Sequence, residues 1–216
     1  MRFNLHFHFM AKPLDHYEEH RTGTVKAARL FSNIVSPPVL FAILGLVFAL
    51  YERPSWHGLL WAAAYGFFVS LLPILLVLYL LKTGYITELH MSDTGERHVP
   101  YISAVLSAGI AFLLITFFDG PELLRCLTIF NMIELATLGV INAFWLISMH
   151  ATGIMATFLL AGLVFGWAYS LIVLPFVILV CVIRLYLKRH TVWQVIAGLA
   201  LGLATVYLLT VIGCFV

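Results

Sequence analysis

Charge is what this sequence has least of. Only 10% of its 216 residues are Asp, Glu, Lys or Arg, against about 25% in a soluble domain. Hydrophobic residues make up 62%, and the mean hydropathy is +1.03. So little polar surface cannot cover a core in water, which excludes an ordinary cytosolic enzyme, a disordered tail and a secreted disulfide scaffold. Cysteine is scarce as well. Cys126, Cys181 and Cys214 all fall in apolar stretches with no CxxC spacing, so neither a disulfide framework nor a zinc site is expected, and they read as core or lipid-facing residues. The first thirty residues are too polar for a secretory signal. Internal repeats, low-complexity stretches and interdomain linkers are missing too.

What the chain does have is long apolar runs. They lie at 35–51, 57–81, 100–118, 123–147, 151–167, 169–187 and 192–215, each near the length needed to cross a bilayer. The 151–187 stretch as one helix would be roughly 55 Å long, against a hydrocarbon core of about 30 Å. It is therefore read as two spans turned near Gly166, Trp167, Ala168 and Tyr169, where aromatics suit the interface. The expected fold is all-α, a polytopic transmembrane bundle of seven spans, or six if 151–187 crosses once. Residues 1–34 form an amphipathic extension expected along the membrane surface, and residues 35–216 form the transmembrane domain. Pro73 and Pro175 fall inside spans and are expected to kink them.

Seven spans sort the basic residues sharply. Arg2, Lys12, Arg21, Lys26, Arg29, Lys82, Arg97, Arg184, Lys188 and Arg189 fall on one face, and Arg53 and Arg125 on the other. By the positive-inside rule the first face is cytoplasmic, which puts the N-terminus inside and the C-terminus outside. His6, His8, His16, His20, His90, His98, His150 and His190 share that face, leaving His57 apart.

Three polar clusters interrupt the spans on this face: His90 to His98, then Ser148-Met149-His150, then Arg184-x5-His190-x3-Gln194-x3-Gly198. Two crossings separate each from the next, so all three return to one end of the bundle and can share a site. In order and spacing they resemble the type-2 phosphatidic acid phosphatase superfamily, whose signature is K-x6-R-P, then P-S-G-H, then S-R-x5-H-x3-D. Arg97 matches the first arginine, Ser148 and His150 the second motif, and Arg184 and His190 the third.

The resemblance implies a phosphatidic-acid-phosphatase-like core and a histidine mechanism. His190 would attack phosphorus, His150 would protonate the leaving oxygen, and Arg97 and Arg184 would hold the phosphoryl oxygens. Gln194 would orient His190, with Ser148, His90, His98 and Lys188 as further substrate contacts. Six positions depart from the pattern. His90 replaces the lysine, His98 and Ile147 replace prolines, Met149 the glycine, Ile183 the serine and Gln194 the aspartate. A glutamine can fix the imidazole tautomer but cannot stabilise developing positive charge.

The expected function is therefore a membrane phosphatase or phosphotransferase acting on lipid or isoprenoid phosphates at the cytoplasmic face. No cofactor, metal or nucleic acid is expected. The alternative is an inactive family member serving as a structural or lipid-binding subunit among partner membrane subunits. Prenyl transfer would need paired aspartate-rich loops, and only Asp93 with Glu96 approaches one. A two-helix haem pocket lacks a histidine deep in a span. His16-x3-His20 has two-ligand metal spacing but no third ligand. Glu134 stands mid-span with Asn131 and Asn142 near its helical face. It reads either as a proton or headgroup contact or as an interhelical hydrogen bond.

Overall fold

The computed structural model describes residues 13–17, 22–88, 91 and 94–215. These residues form helices and connecting turns with no strand. In chain order the helices are α1 (Gly23–Ile34), α2 (Pro37–Glu52), α3 (Trp56–Gly66), α4 (Leu72–Lys82), α5 (His98–Phe117), α6 (Glu122–Asn142), α7 (Met149–Phe165), α8 (Trp167–Tyr186) and α9 (Val192–Val211). A π-helical turn, Phe67–Leu71, joins α3 to α4, and a 3₁₀ turn, Thr94–Arg97, leads into α5.

Two prolines set the first break. Ser36 precedes Pro37 and takes extended backbone (ψ 151°), as a residue before proline must, so α1 stops and α2 restarts with proline in its first turn. The two helices meet at 43°. The kink expected at Pro73 takes the form of the π-helical turn just ahead of it, where the missing amide frees the carbonyl of Val69. By contrast, α8 continues through Pro175.

Five helical segments are long and apolar enough to cross a membrane: Trp56–Lys82, Gly95–Phe117, Glu122–Asn142, Trp167–Tyr186 and Val192–Val211. A sixth arises if the bent α1–α2 pair is one span. The chain therefore reads as an integral, multi-pass membrane protein. Of the seven expected spans, two fall short by length: the first, because α2 has 16 residues and reaches span length only when joined to α1, and the fifth, because α7 has 17 residues, about 26 Å. The turn expected near Gly166 is present. Gly166 has φ +100°, a conformation only glycine adopts freely, and α7 folds back against α8 there. The fourth run ends sooner than expected, since α6 stops at Asn142 and leaves 143–148 as a loop.

The core lies between α2, α3, α6, α7 and α9, around the fully buried Phe48, Tyr65, Leu127, Phe130, Leu160 and Leu209. Glycine lets α9 approach α7 closely. A Cβ on Gly198 would lie 2.6 Å from the Ser148 carbonyl, and one on Gly202 2.5 Å from that of Thr152. This contact fixes the start of α9 against the start of α7, where two of the polar clusters lie.

The end of the bundle opposite those clusters is closed by contacts the sequence did not announce. Glu52 accepts hydrogen bonds from the amides of Glu122 (2.7 Å) and Leu123 (2.8 Å), capping α6 with the negative charge a helix N-terminus favours. Arg53 donates to the Asp119 carbonyl at 2.7 Å. Cys126 and Cys214 form a disulfide, which corrects the expectation of three unpaired cysteines. Spacing rules miss it because 88 residues separate the pair, whereas the topology brings the start of α6 beside the end of α9. Cys181 remains a thiol. Under denaturing conditions without reductant, a maleimide should therefore label one site per chain, and three after reduction. Three labelled sites before reduction would refute the pairing.

Candidate functional site

The break between α1 and α2 has a chemical consequence. The last carbonyls of a helix lack intrahelical partners, and Ser32 carries one of them. Its carbonyl accepts a hydrogen bond from Nε2–H of His150 at 3.1 Å, and its hydroxyl accepts from Nη1 of Arg184 at 3.0 Å. Ser32 thus holds the first turn of α7 and the last turn of α8 at one point.

Arg184 is buried (5% exposed), and among the described residues no carboxylate makes an ion pair with it. Its other contact is Nη2 donating to Nε2 of His190 at 3.2 Å. A guanidinium has no lone pair to offer, so His190 Nε2 must be the acceptor and the ring proton sits on Nδ1. That proton goes to the backbone carbonyl of Leu146 at 3.2 Å, in the loop after α6. Lys188, in the left-handed region (φ +53°), reverses the chain after α8, so that Arg189 and His190 both turn inward.

His190 lies outside the spans, and its pKa is held well below the ordinary histidine value. Burial is the main cause, followed by the cations of Arg184 and Arg97, while the hydrogen bonds with Leu146 and Gln194 act in the opposite sense. The imidazole is neutral at physiological pH, with its Nε2 lone pair facing a guanidinium.

Arg97 completes the cluster from the 3₁₀ turn. Its Nε donates to the Met91 carbonyl at 2.7 Å, and its guanidinium bonds Tyr101, whose hydroxyl also accepts from Asn142 at 3.0 Å. Arg97, His150, Arg184 and His190 line one cavity of about 410 Å³. The expected convergence of the three motif clusters is therefore present. Below the polar end the walls are apolar, formed by Pro37, Pro38, Phe41, Val69, Ile74 and Val77 among others, with Asn131 and Glu134 reaching in from α6.

Not every expected contact is there. Ser148 is fully buried and serves as the N-cap of α7, its Oγ accepting from the Ala151 amide at 3.3 Å, so it does not line the cavity. Gln194 forms a capping box with Thr191, its Oε1 accepting the Thr191 amide at 2.9 Å. Its side chain also hydrogen-bonds His190, beside the Leu146 carbonyl, so the contact expected between Gln194 and His190 is present although Gln194 does not line the cavity. Lys188 and His98 are exposed and absent from the lining. His90 lies outside the described residues, as do Asp93 and His20. His16 stands 3.7 Å from Glu88, and among the described residues no three potential ligands gather as a metal site.

Sequence reading missed Ser32 and Asp15. Asp15 is buried (1% exposed) and its carboxylate pairs with Arg189 (2.9 Å) and Arg29 (3.2 Å). The Leu14 amide bonds the Leu187 carbonyl at 3.1 Å. The segment 13–17 therefore neutralises Arg189 and leaves Arg184, with Arg97, turned to the cavity. The Pro37-Pro38 pair was the available signal for Ser32, and Asp15 had none beyond its basic neighbourhood. Comparison with known proteins finds no match to this chain among family models, curated proteins or solved structures.

The lowered His190 pKa carries a sign. Above about pH 6.5 folded and unfolded chains are both neutral at this group and stability does not depend on it. Below that only the unfolded chain takes up the proton, so stability falls by up to about 1.4 kcal/mol per pH unit. Nitrogen NMR of histidine-labelled protein, with His190→Asn for assignment, should show one imidazole neutral and Nδ1-protonated at about pH 5.5. Ordinary titration near 6.5 would contradict the buried geometry.

Proposed function

We propose that this protein is a multi-pass membrane phosphatase or phosphotransferase of the phosphatidic acid phosphatase type, acting on a lipid or isoprenoid phosphate through His190. The observation that carries the reading is Arg184, a buried cation at the head of an apolar cavity, hydrogen-bonded only to neutral groups and without a carboxylate partner among the described residues. Burying such a charge is costly unless an anion answers it, and a planar guanidinium suits a phosphate. The apolar walls suit the chain that a lipid phosphate brings with it. Asn33 and Leu78, both exposed, stand at the rim, where a chain could pass from the bilayer.

In this reading the phosphate draws Arg184 onto its oxygens and uncovers the Nε2 lone pair of His190. That nitrogen attacks phosphorus as the P–O ester bond breaks, and the Leu146 carbonyl stabilises the Nδ1–H as positive charge develops. The leaving oxygen takes a proton from His150 in its imidazolium form. Water then cleaves the P–N bond, returns its proton to His150 and releases phosphate. Phosphoryl transfer asks mainly for positioning and charge stabilisation, which this arrangement offers. The same reading takes α7 and the bent α1–α2 pair as crossings, seven in all, with the basic end in the cytoplasm by the positive-inside rule and the disulfide end in an oxidising compartment outside.

A second reading has its own observation. Among the described residues no carboxylate stands behind His190, whose hydrogen bonds there are to the Leu146 carbonyl and the Gln194 side chain. The comparable loss of a carboxylate in a serine protease costs on the order of 10⁴ in rate. A chain with such a site could bind the lipid phosphate as a subunit of a larger membrane complex without turning it over. Purified protein incubated with phosphatidic acid and with an isoprenoid phosphate should release inorganic phosphate, and His190→Ala should abolish the release. Binding that is lost in Arg184→Ala, with no release from the unaltered protein, selects the subunit reading instead.

A further inference from the structure

The deep end of the cavity holds a group that the phosphoryl chemistry does not use. Glu134 is 2% exposed on α6, lines the cavity, and has no hydrogen-bond partner for Oε1 among the described residues. Asn131, one turn away, cannot serve it, because its amide already donates to the Tyr65 hydroxyl (2.8 Å) and to the Leu127 carbonyl (2.6 Å). A buried carboxyl oxygen in apolar surroundings calls for a donor. Eight residues separate Glu134 from Asn142 at the basic end of α6, which sets the carboxyl about 12 Å along the helix from that end.

We propose that Glu134 is a second polar subsite for the ligand whose phosphate lies at Arg184, and that it accepts a hydrogen bond from a hydroxyl or amino group carried on the ligand's apolar chain. The assignment rests on the phosphate reading above and narrows its substrate class. A plain alkyl phosphate would fill the apolar walls and leave the Glu134 oxygen unmet. A chain bearing a donor at the matching depth satisfies both ends. A site built around a hydrogen bond disfavours the analogue that lacks it, because the buried group is then left unpaired.

The test uses the full chain in detergent and a series of monoalkyl phosphates of one chain length, with a hydroxyl moved carbon by carbon along the chain and a parallel series carrying an amine. Affinity should peak about tenfold above the unsubstituted compound at one position and fall away on either side. The peak should vanish in Glu134→Leu. Glu134→Gln, which keeps an acceptor, should retain the hydroxyl peak and lose any excess preference for the amine. A flat series with the unaltered protein, or a peak that survives Glu134→Leu, overturns the assignment. The matching series of alcohols without phosphate separates the two readings. If alkyl phosphates bind no better than these alcohols but the position dependence remains, the phosphate reading fails and the Glu134 subsite stands. If the alcohols and the phosphates are both flat, the subsite falls.

Discussion

The site depends on one buried guanidinium held by neutral partners. An arginine taken out of water normally brings a carboxylate with it, because unpaired charge in a low dielectric is expensive. Here the nearby carboxylate of Asp15 is committed to Arg189 and Arg29, and Arg184 makes do with a serine hydroxyl and an imidazole nitrogen. The positive field is thereby left pointing into the cavity. It lowers the proton affinity of His190 and disposes the cavity toward an anion.

Backbone carbonyls do the orienting work that carboxylates do in many histidine sites. Ser32 supplies one because two prolines interrupt the helix just beyond it, and Leu146 supplies the other because α6 ends four residues earlier. One carbonyl belongs to the last turn of a helix and the other to the loop after one, and each fixes one imidazole. A carbonyl carries a partial charge where a carboxylate carries a full one. It sets the tautomer as firmly, yet stabilises a protonated or phosphorylated ring less. The geometry of the site is thus decided by where helices end, and the electrostatic support of His190 by neutral groups, the Leu146 carbonyl and the Gln194 side chain.

Much of this was legible in the sequence. Parity of crossings placed the three clusters at one end, and Arg97, His150, Arg184 and His190 do line a common cavity. The turn at Gly166 was legible from helix length alone. Other parts depended on facts that periodicity does not carry. Ser148 matches a motif by position but sits at the start of a helix, where its oxygen satisfies an orphan amide, and Gln194 adds such a cap to its hydrogen bond with His190. Lys188 stands beside two inward-turned residues and points out, because its own backbone makes the reversal. The disulfide joins residues 88 apart whose proximity follows from the packing of α6 and α9. The span count is least settled by sequence at α7, since 17 apolar residues are long for a core helix and short for a crossing.

The two ends of the bundle differ in chemistry as well as charge. At one end arginines, histidines and the docked segment 13–17 surround a cavity mouth. At the other, Glu52 caps α6 through two backbone amides, and Cys126 and Cys214 tie α6 to the end of α9. That second end holds its helices together with a covalent bond and a cap, which leaves it little freedom to open. The cavity approaches it no nearer than the level of Phe41 and Asn131, below which Phe48, Leu127 and Leu209 fill the interior. A ligand therefore has its polar approach from the basic end, or its lateral one past Asn33 and Leu78. On the lipid-phosphate proposal, an amphiphile entering from the bilayer would lead with its head toward Arg184 and leave its chain against Pro38, Val77 and Glu134. The break at Pro37-Pro38 and the π-helical turn before Pro73 both face this route, which makes the least regular backbone of the bundle coincide with the path the ligand would take.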